Sequence, residues 1–301
     1  MPFLPSRYEP SLVVVSIAIA TFASYVALDL AKRMRGGDRG WQRHWWTGGS
    51  IALGTGIWSM HFIGMLAFSL PIPLGYSPAL TLVSFFAAVA ASAVALFFAS
   101  RQKLDRRSLA AGATTMGAGI FAMHYIGMAA LDMAPGITWN PLLVGTSLGV
   151  AIATSAAALQ IFFWLRKVSE HGSLRHQVMA AALMGLAISG MHYTGMSAAS
   201  FPLGSVCLSA GALRGAGLGA LVGLSAMTLL GLTLLTSIYD ARMQSQAAKI
   251  TASLQVANTS LREKRERFRA LVALSSDWFW EQDDEHRFTA ISAGFELALS
   301  S

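Results

Sequence analysis

The chain has 301 residues, of which 54% are hydrophobic and 12% charged, with a formal net charge of +7 and a mean hydropathy of +0.53. Soluble domains carry about 25% charged residues, so a soluble globular fold is excluded for most of the length and an integral membrane protein is expected. The basic residues cluster in loops and in the tail, a pattern of membrane topology and contact with membrane lipid rather than of nucleic-acid binding, and the single cysteine, Cys207, excludes an internal disulfide.

Met1-Pro2-Phe3-Leu4-Pro5 lacks a basic stretch and a cleavage site, so no removable signal peptide is expected. A bilayer core needs about 20 apolar residues per helix. Seven stretches qualify in chain order: residues 11–30, 46–70, 79–100, 109–131, 142–165, 178–200 and 215–238. They predict an all-α membrane protein with seven transmembrane helices over residues 1–240. The loops between them alternate in kind. One set is basic: Lys32, Arg33, Arg35, Arg39 and Arg43; then Arg101, Lys103, Arg106 and Arg107; then Arg166, Lys167 and Arg175. The other runs from Pro71 to Pro78, Pro135 to Pro141 and Pro202 to Gly211, and its side of the membrane holds only Arg7 and Arg214. Basic loops stay in the cytoplasm. The N-terminus is therefore expected outside and the C-terminus inside. The seventh stretch has no lysine for a retinal Schiff base, which argues against a rhodopsin-like reading.

One phrase occurs three times: Met60-His61-Phe62-Ile63-Gly64-Met65, Met123-His124-Tyr125-Ile126-Gly127-Met128 and Met191-His192-Tyr193-Thr194-Gly195-Met196. The likeness extends upstream to Gly54, Gly117 and Gly185, and to Ile57, Ile120 and Ile188, at constant distance from each histidine. Such a period marks a repeated structural unit. The copies fall on spans two, four and six, all of one direction. Each histidine lies about ten residues before the proline of the following loop, which at 1.5 Å per residue puts it roughly 15 Å below the helix end. The three are thus expected in one layer, near mid-membrane or slightly to its outer side.

Residues four apart share a helix face, which pairs His61 with Met65, His124 with Met128 and His192 with Met196. Met60, Met123 and Met191 are adjacent and approach from the side. Gly64, Gly127 and Gly195 remove bulk beside them and let helices approach closely. Thioether is a soft ligand and imidazole a borderline one, so the set suits copper, Cu(I) above all. There is no acidic cluster for a hard cation. Haem between two facing histidines is an alternative, and so is a purely structural role in which His, Tyr and Thr bond between helices while Met and Gly fill gaps. Cys207, in the third outer loop, is a possible added thiolate or an inert buried thiol.

The phrase resembles the signature of the MHYT domain, a bacterial integral-membrane sensor family, over about residues 8–240. Met191-His192-Tyr193-Thr194 matches it literally; the other copies keep Met-His and Gly-Met. The resemblance implies a copper-binding sensor of a diatomic gas (O2, CO or NO) or of redox state, in the bacterial plasma membrane.

Past the last span, Met243, Ala247, Ile250, Leu254, Ala257, Leu261, Lys264, Phe268 and Leu271 alternate at spacings of four and three. This heptad seam, broken at Lys264, predicts a cytoplasmic signalling helix over 241–274 that pairs through 243–271 as a homodimeric coiled coil; the alternative is one amphipathic helix lying on the membrane or another domain. Arg267-Phe268-Arg269-Ala270-Leu271, then Ser275-Ser276-Asp277-Trp278-Phe279-Trp280-Glu281-Gln282-Asp283 and Arg287-Phe288-Thr289-Ala290-Ile291-Ser292, resemble over about residues 266–299 the opening of a PAS domain, a helix and then two short strands around an acidic turn, so that residues 275–301 are expected to be a truncated PAS-like start. A PAS fold needs on the order of 100 residues, so the chain is expected to be part of a longer protein. Similar proteins continue into modules that make or degrade cyclic di-GMP. No catalytic motif occurs in this chain, so a sensor rather than an enzyme is expected, with a copper or small-solute transporter and a structural anchor as the other readings.

Overall fold

The structure is a computed structural model and describes residues 3–33, 39–101, 103–168, 174–274 and 280–291. It divides into two units, Met1–Thr233 and Leu234–Ser301.

The first unit is built from three helix pairs. A short strand β1 (Arg7–Tyr8) leads into α1 (Pro10–Arg33), and α2 (Arg39–Ala67) is followed by β2 (Phe68–Ser69). In the second pair, β3 (Gly75–Tyr76) leads into α3 (Pro78–Ser100), and α4 (Arg106–Ala129) is followed by β4 (Met133–Ala134). In the third, β5 (Thr138–Trp139) leads into α5 (Pro141–Val168), and α6 (Leu174–Ser197) is followed by β6 (Ala199–Ser200). Then come β7 (Val206–Cys207), β8 (Leu213–Arg214) and the start of α7 (Gly215–Leu274).

Each odd helix of the pairs opens on proline at its first position, where the missing N–H costs nothing. The residue before that proline donates its own N–H to the end of the partner helix. Glu9 donates to the Ala67 carbonyl at 2.8 Å, Ser77 to Ala130 at 2.7 Å and Asn140 to Ala198 at 2.9 Å. One backbone bond therefore staples each pair, at the same place in all three copies. α4 is started by Asp105, which accepts from the Ser108 N–H; hydrogen bonds from Ser108 hold this carboxyl below the usual carboxylate range.

The helices pack as a closed ring in chain order, α1 to α6, with α6 returning against α1. α2, α4 and α6 also meet one another across the interior. The glycines seven residues before each histidine explain the closure. A Cβ on Gly54 would lie 2.7 Å from the Val89 Cα, on Gly117 2.8 Å from the Ile152 Cα, and on Gly185 2.6 Å from the Thr21 Cα. Val89, Ile152 and Thr21 stand at one equivalent position, eleven residues past the opening prolines. The repeated glycine thus seats each even helix against the backbone of the next odd one, by the small-residue contact that membrane helices use.

Among the described residues, five helices are long and apolar enough to cross a membrane: 10–30, 46–67, 78–100, 141–164 and 174–197. α4 is not among them, and α7 supplies a shorter apolar stretch, Gly217–Thr233. The outward faces carry Val14, Leu82, Phe86, Leu142, Leu183 and Leu224, all exposed and large, as lipid-facing helices require.

The expected helix ends, and the depth they give, are corrected. Short strands in and beside the Pro- and Gly-rich loops pair antiparallel: β1 with β2, β3 with β8, β4 with β7 and β5 with β6. Because the chain leaves each even helix early to enter these strands, α2, α4 and α6 end at Ala67, Ala129 and Ser197, ahead of the expected 70, 131 and 200. The histidines are then five or six residues from the helix ends, about 8 Å rather than 15 Å.

In the second unit, α7 continues to Leu274, and β9 (Trp280–Gln282) pairs antiparallel with β10 (Phe288–Ile291). Asp283 closes the turn between them, accepting from the N–H groups of Glu285 and Arg287. This is the expected order of helix, strand, acidic turn and strand. Residues 275–279 and 292–301 lie outside the described set.

Candidate metal centre

His61, His124 and His192 come together in the ring interior with no exposed surface. Their Nδ1 atoms form a triangle: 3.1 Å between His61 and His192, and 3.3 Å from His124 to each of the others. The rings stand nearly perpendicular, at 81–88° to one another, with centroids 5.0–5.2 Å apart.

The glycines of the phrase make this arrangement, though by a route the sequence spacing does not reveal. They do not serve their own histidine. A Cβ on Gly127 would fall 2.2 Å from the His61 Nε2, on Gly195 2.3 Å from the His124 Nε2, and on Gly64 2.3 Å from the His192 Nε2. Each imidazole lies across the glycine of another copy, in rotation around the ring. Its Nε2 end is held against backbone while its Nδ1 end points to the common centre.

A triangle of neutral imidazole nitrogens cannot satisfy itself. Each Nδ1 is either a donor or an acceptor. With only two roles and three corners, at least one edge always joins like to like. A cation at the centre resolves this, since all three Nδ1 then present lone pairs to it. The size fits. For edges of 3.1–3.3 Å the centre lies about 1.9 Å from each corner, close to the ~2.0 Å of a metal–imidazole bond. The three histidines can therefore hold a metal ion. Among the described residues they are the one cluster of His, Cys, Asp or Glu with such geometry.

The methionines of the phrase, Met60, Met65, Met123, Met128, Met191 and Met196, are all buried around this layer, none more than 2% exposed. Cys207 is separate from the cluster. Its thiol donates to the Leu131 carbonyl at 2.8 Å and to that of Gly75 at 3.3 Å. Of the two readings of this residue, the buried structural thiol is the one the contacts support.

In two of the three copies the residue after the histidine ties its helix to the next. The Tyr193 hydroxyl lies 2.8 Å from the Ser16 Oγ, and that of Tyr125 2.9 Å from the Ser147 Oγ. Ser16 and Ser147 each give their own proton to the carbonyl three residues back, so the tyrosines donate. In the first copy Phe62 has no hydroxyl. There the equivalent Ser84 accepts from the Trp58 Nε1 at 3.2 Å. Ser16, Ser84 and Ser147 sit six residues past the opening prolines, a signal present in the sequence but recognisable only once the prolines are known to start the helices.

The repeat, its three-fold geometry and the matched residues agree with a known family. Residues 54–112 and 117–181 match the family described as a bacterial signalling protein N-terminal repeat, MHYT. The chain carries MHYT repeats. The matched segments begin on the ring-closing glycines Gly54 and Gly117, and each runs from the second half of an even helix through the whole next odd helix into the start of the following even one. The third copy, from Gly185, repeats the same contacts.

Relatives share this MHYT region. The bifunctional diguanylate cyclase/cyclic di-GMP phosphodiesterase MucR of Pseudomonas aeruginosa is 47% identical over 86% of this chain and 38% of its own length. The signaling protein YkoW of Bacillus subtilis is 41% identical over 64% of the chain and 24% of its own length. The cyclic di-GMP phosphodiesterase NbdA of Pseudomonas aeruginosa is 37% identical over 64% and 24%. The chain thus spans less than two fifths of the length of these curated relatives. No solved structure matches it at a significant level. The matched region is the membrane sensor repeat, not a catalytic domain.

Proposed function

We propose that the chain is a copper-binding membrane sensor. The observation that carries this is the closed triangle of three Nδ1 atoms at 3.1–3.3 Å. Three imidazoles within a shell of buried thioethers favour Cu(I) over the hard cations, with His61, His124 and His192 as ligands and Met65, Met128 and Met196, or Met60, Met123 and Met191, completing or shielding the site. The metal responds to a diatomic gas or to redox state, and a change at the histidine layer is felt by all three helix pairs because each ring lies on another copy. Haem fits poorly. Two ligands on opposite sides of one iron would stand about 4 Å apart with the macrocycle between them, whereas these nitrogens are nearer than that and face one another directly.

The same reading extends to topology and output. α4 crosses the membrane because it holds the same ring position as α2 and α6, and α7 makes the seventh span. The basic loops put the N-terminus outside and the C-terminus in the cytoplasm of a bacterial cell. Along α7, Ile250, Leu254, Leu261 and Leu271 are exposed in a single copy, which supports pairing with a second copy as a coiled coil. The hairpin that follows opens a PAS-like domain, and names such as those of MucR and NbdA support a cyclic di-GMP output in the longer protein. The transporter alternative is weaker, since Ile57, Ile120 and Ile188 lie next to the histidines along the ring interior and provide no polar path.

Metal analysis and X-ray absorption of the purified membrane protein test the proposal. One copper per chain bound by three nitrogen ligands is expected, and His61→Ala, His124→Ala and His192→Ala combined should remove it. Full copper in that triple variant would place the site elsewhere.

A further inference from the structure

The ring interior holds a second feature, one helical turn from the histidine layer. Two apolar clusters lie along the axis. One surrounds the histidines, and the other, with Leu28, Leu96 and Phe162, lies toward the N-terminal ends of α2, α4 and α6. Between them is a cavity of ≈ 80 Å³ reached by all six ring helices. It is built from equivalent positions. Ile57, Ile120 and Ile188, each four residues before a histidine, line it on the histidine side. Ser24, Ser92 and Ser155, each fourteen residues past an opening proline, line it from α1, α3 and α5.

The serines are buried, at 0%, 1% and 2% exposure. Ser24 donates to the Ala20 carbonyl at 2.8 Å. The hydroxyls of Ser92 and Ser155 have no hydrogen-bond partner, although a helical serine ordinarily bonds the carbonyl three or four residues back. The remaining lining is apolar except for Thr154, whose hydroxyl donates to the Ala151 carbonyl at 3.1 Å. The volume is several times the ~10–15 Å³ that one water needs and about half that of the ~150 Å³ apolar cavity that takes benzene or xenon. It suits a single small molecule.

We propose that this cavity binds one small neutral apolar molecule, of the size of xenon or dioxygen, on the ring axis directly behind the histidine layer. Such molecules dissolve in the bilayer and gain from leaving water for a mostly apolar site. The free hydroxyls of Ser92 and Ser155 offer weak donors to an oxygen-containing guest without a charge that would exclude it. The three isoleucines line the cavity one turn before the histidines, so occupancy of the cavity presses on residues next to the metal-ligating layer. The cavity's part in signalling rests on the sensing role proposed above, but binding of the guest does not depend on the metal.

Crystals of the full chain derivatised with xenon under pressure test it. A single anomalous peak between the isoleucine and serine rings is expected. Ala95→Leu and, separately, Ala158→Leu fill the cavity from α3 and α5 and should abolish that peak, while Ser155→Ala should keep it. Metal content measured on the same Ala95→Leu and Ala158→Leu proteins should equal that of the wild type, which separates failure of the cavity from failure of the metal site. Ordered water between Ser92 and Ser155 with no xenon, or a xenon peak unchanged by both leucine variants, overturns the proposal.

Discussion

Gly127→Ala probes the interlock between copies more directly than removing a ligand does. The new Cβ would lie 2.2 Å from the His61 Nε2, 2.9 Å from its Cδ2 and 3.2 Å from its Cε1. Ordinary van der Waals contact begins near 3.4 Å, so the ring must move by about 1.2 Å, far beyond the ±0.2 Å within which a metal–ligand distance is acceptable. Moving toward the centre would press the His61 Nδ1 into nitrogens already 3.1 and 3.3 Å away. Moving aside takes it out of the triangle. Either way one of three ligands is lost, although no ligand has been mutated. The overpacking itself costs about 1–3 kcal/mol, which a folded membrane protein of this size tolerates. The assay is metal stoichiometry by mass spectrometry, read beside a thermal melt in detergent. Gly190→Ala, with nothing within 4 Å of the added methyl, is the control. The expected result is a folded Gly127→Ala protein that binds metal at least tenfold more weakly, with Gly195→Ala and Gly64→Ala behaving alike through His124 and His192. Unaltered metal binding in all three glycine variants would refute the claim that each imidazole is positioned by another copy's glycine.

Three further outcomes follow from the ring. Tyr193→Phe and Tyr125→Phe should each lower stability by about 0.6 kcal/mol, the average for an interhelical hydrogen bond in a membrane, measured by unfolding in mixed micelles; Phe62→Tyr should bring no equal gain, because Ser84 is already bonded by Trp58. Gly117→Ala should lower the melting temperature clearly, since its Cβ meets the Ile152 backbone at 2.8 Å and backbone cannot swing aside, whereas Gly149→Ala, with open space around it, should be neutral or stabilising by up to ~1 kcal/mol from helix propensity. Equal melting temperatures for the two would remove the ring-closing role of the repeated glycine. Cys207→Ala should leave metal content unchanged while weakening the β4–β7 region, as hydrogen exchange at Met133 and Val206 would report; a loss of metal would bring the thiol back as a ligand.

Pattern along the chain is legible in the amino-acid sequence alone. Apolar runs of membrane length, the three-fold phrase and its glycines are local, and they point to a helical membrane protein with three like-directed copies. His61, His124 and His192 stand out because a histidine in an apolar span needs a reason. The heptad and the hairpin with its acidic turn are legible on the same ground. The seven apolar stretches are read from the sequence too, but α4 is not among the five helices that are long and apolar enough to cross a membrane, and its place in the ring depends on packing.

Which copies touch is set by tertiary packing. Spacing pairs His61 with Met65 and Gly64 on one helix, but closure of α6 onto α1 brings Gly127 under His61, Gly195 under His124 and Gly64 under His192. Strand pairing between residues as far apart as Met133 and Cys207 moves the helix ends, and with them the depth of the site. The physical reason is common to both. A repeat fixes what each copy buries, but the partner that buries it is chosen by ring closure, and the 63- and 68-residue spacing of the histidines does not say which copy's glycine lies under which ring.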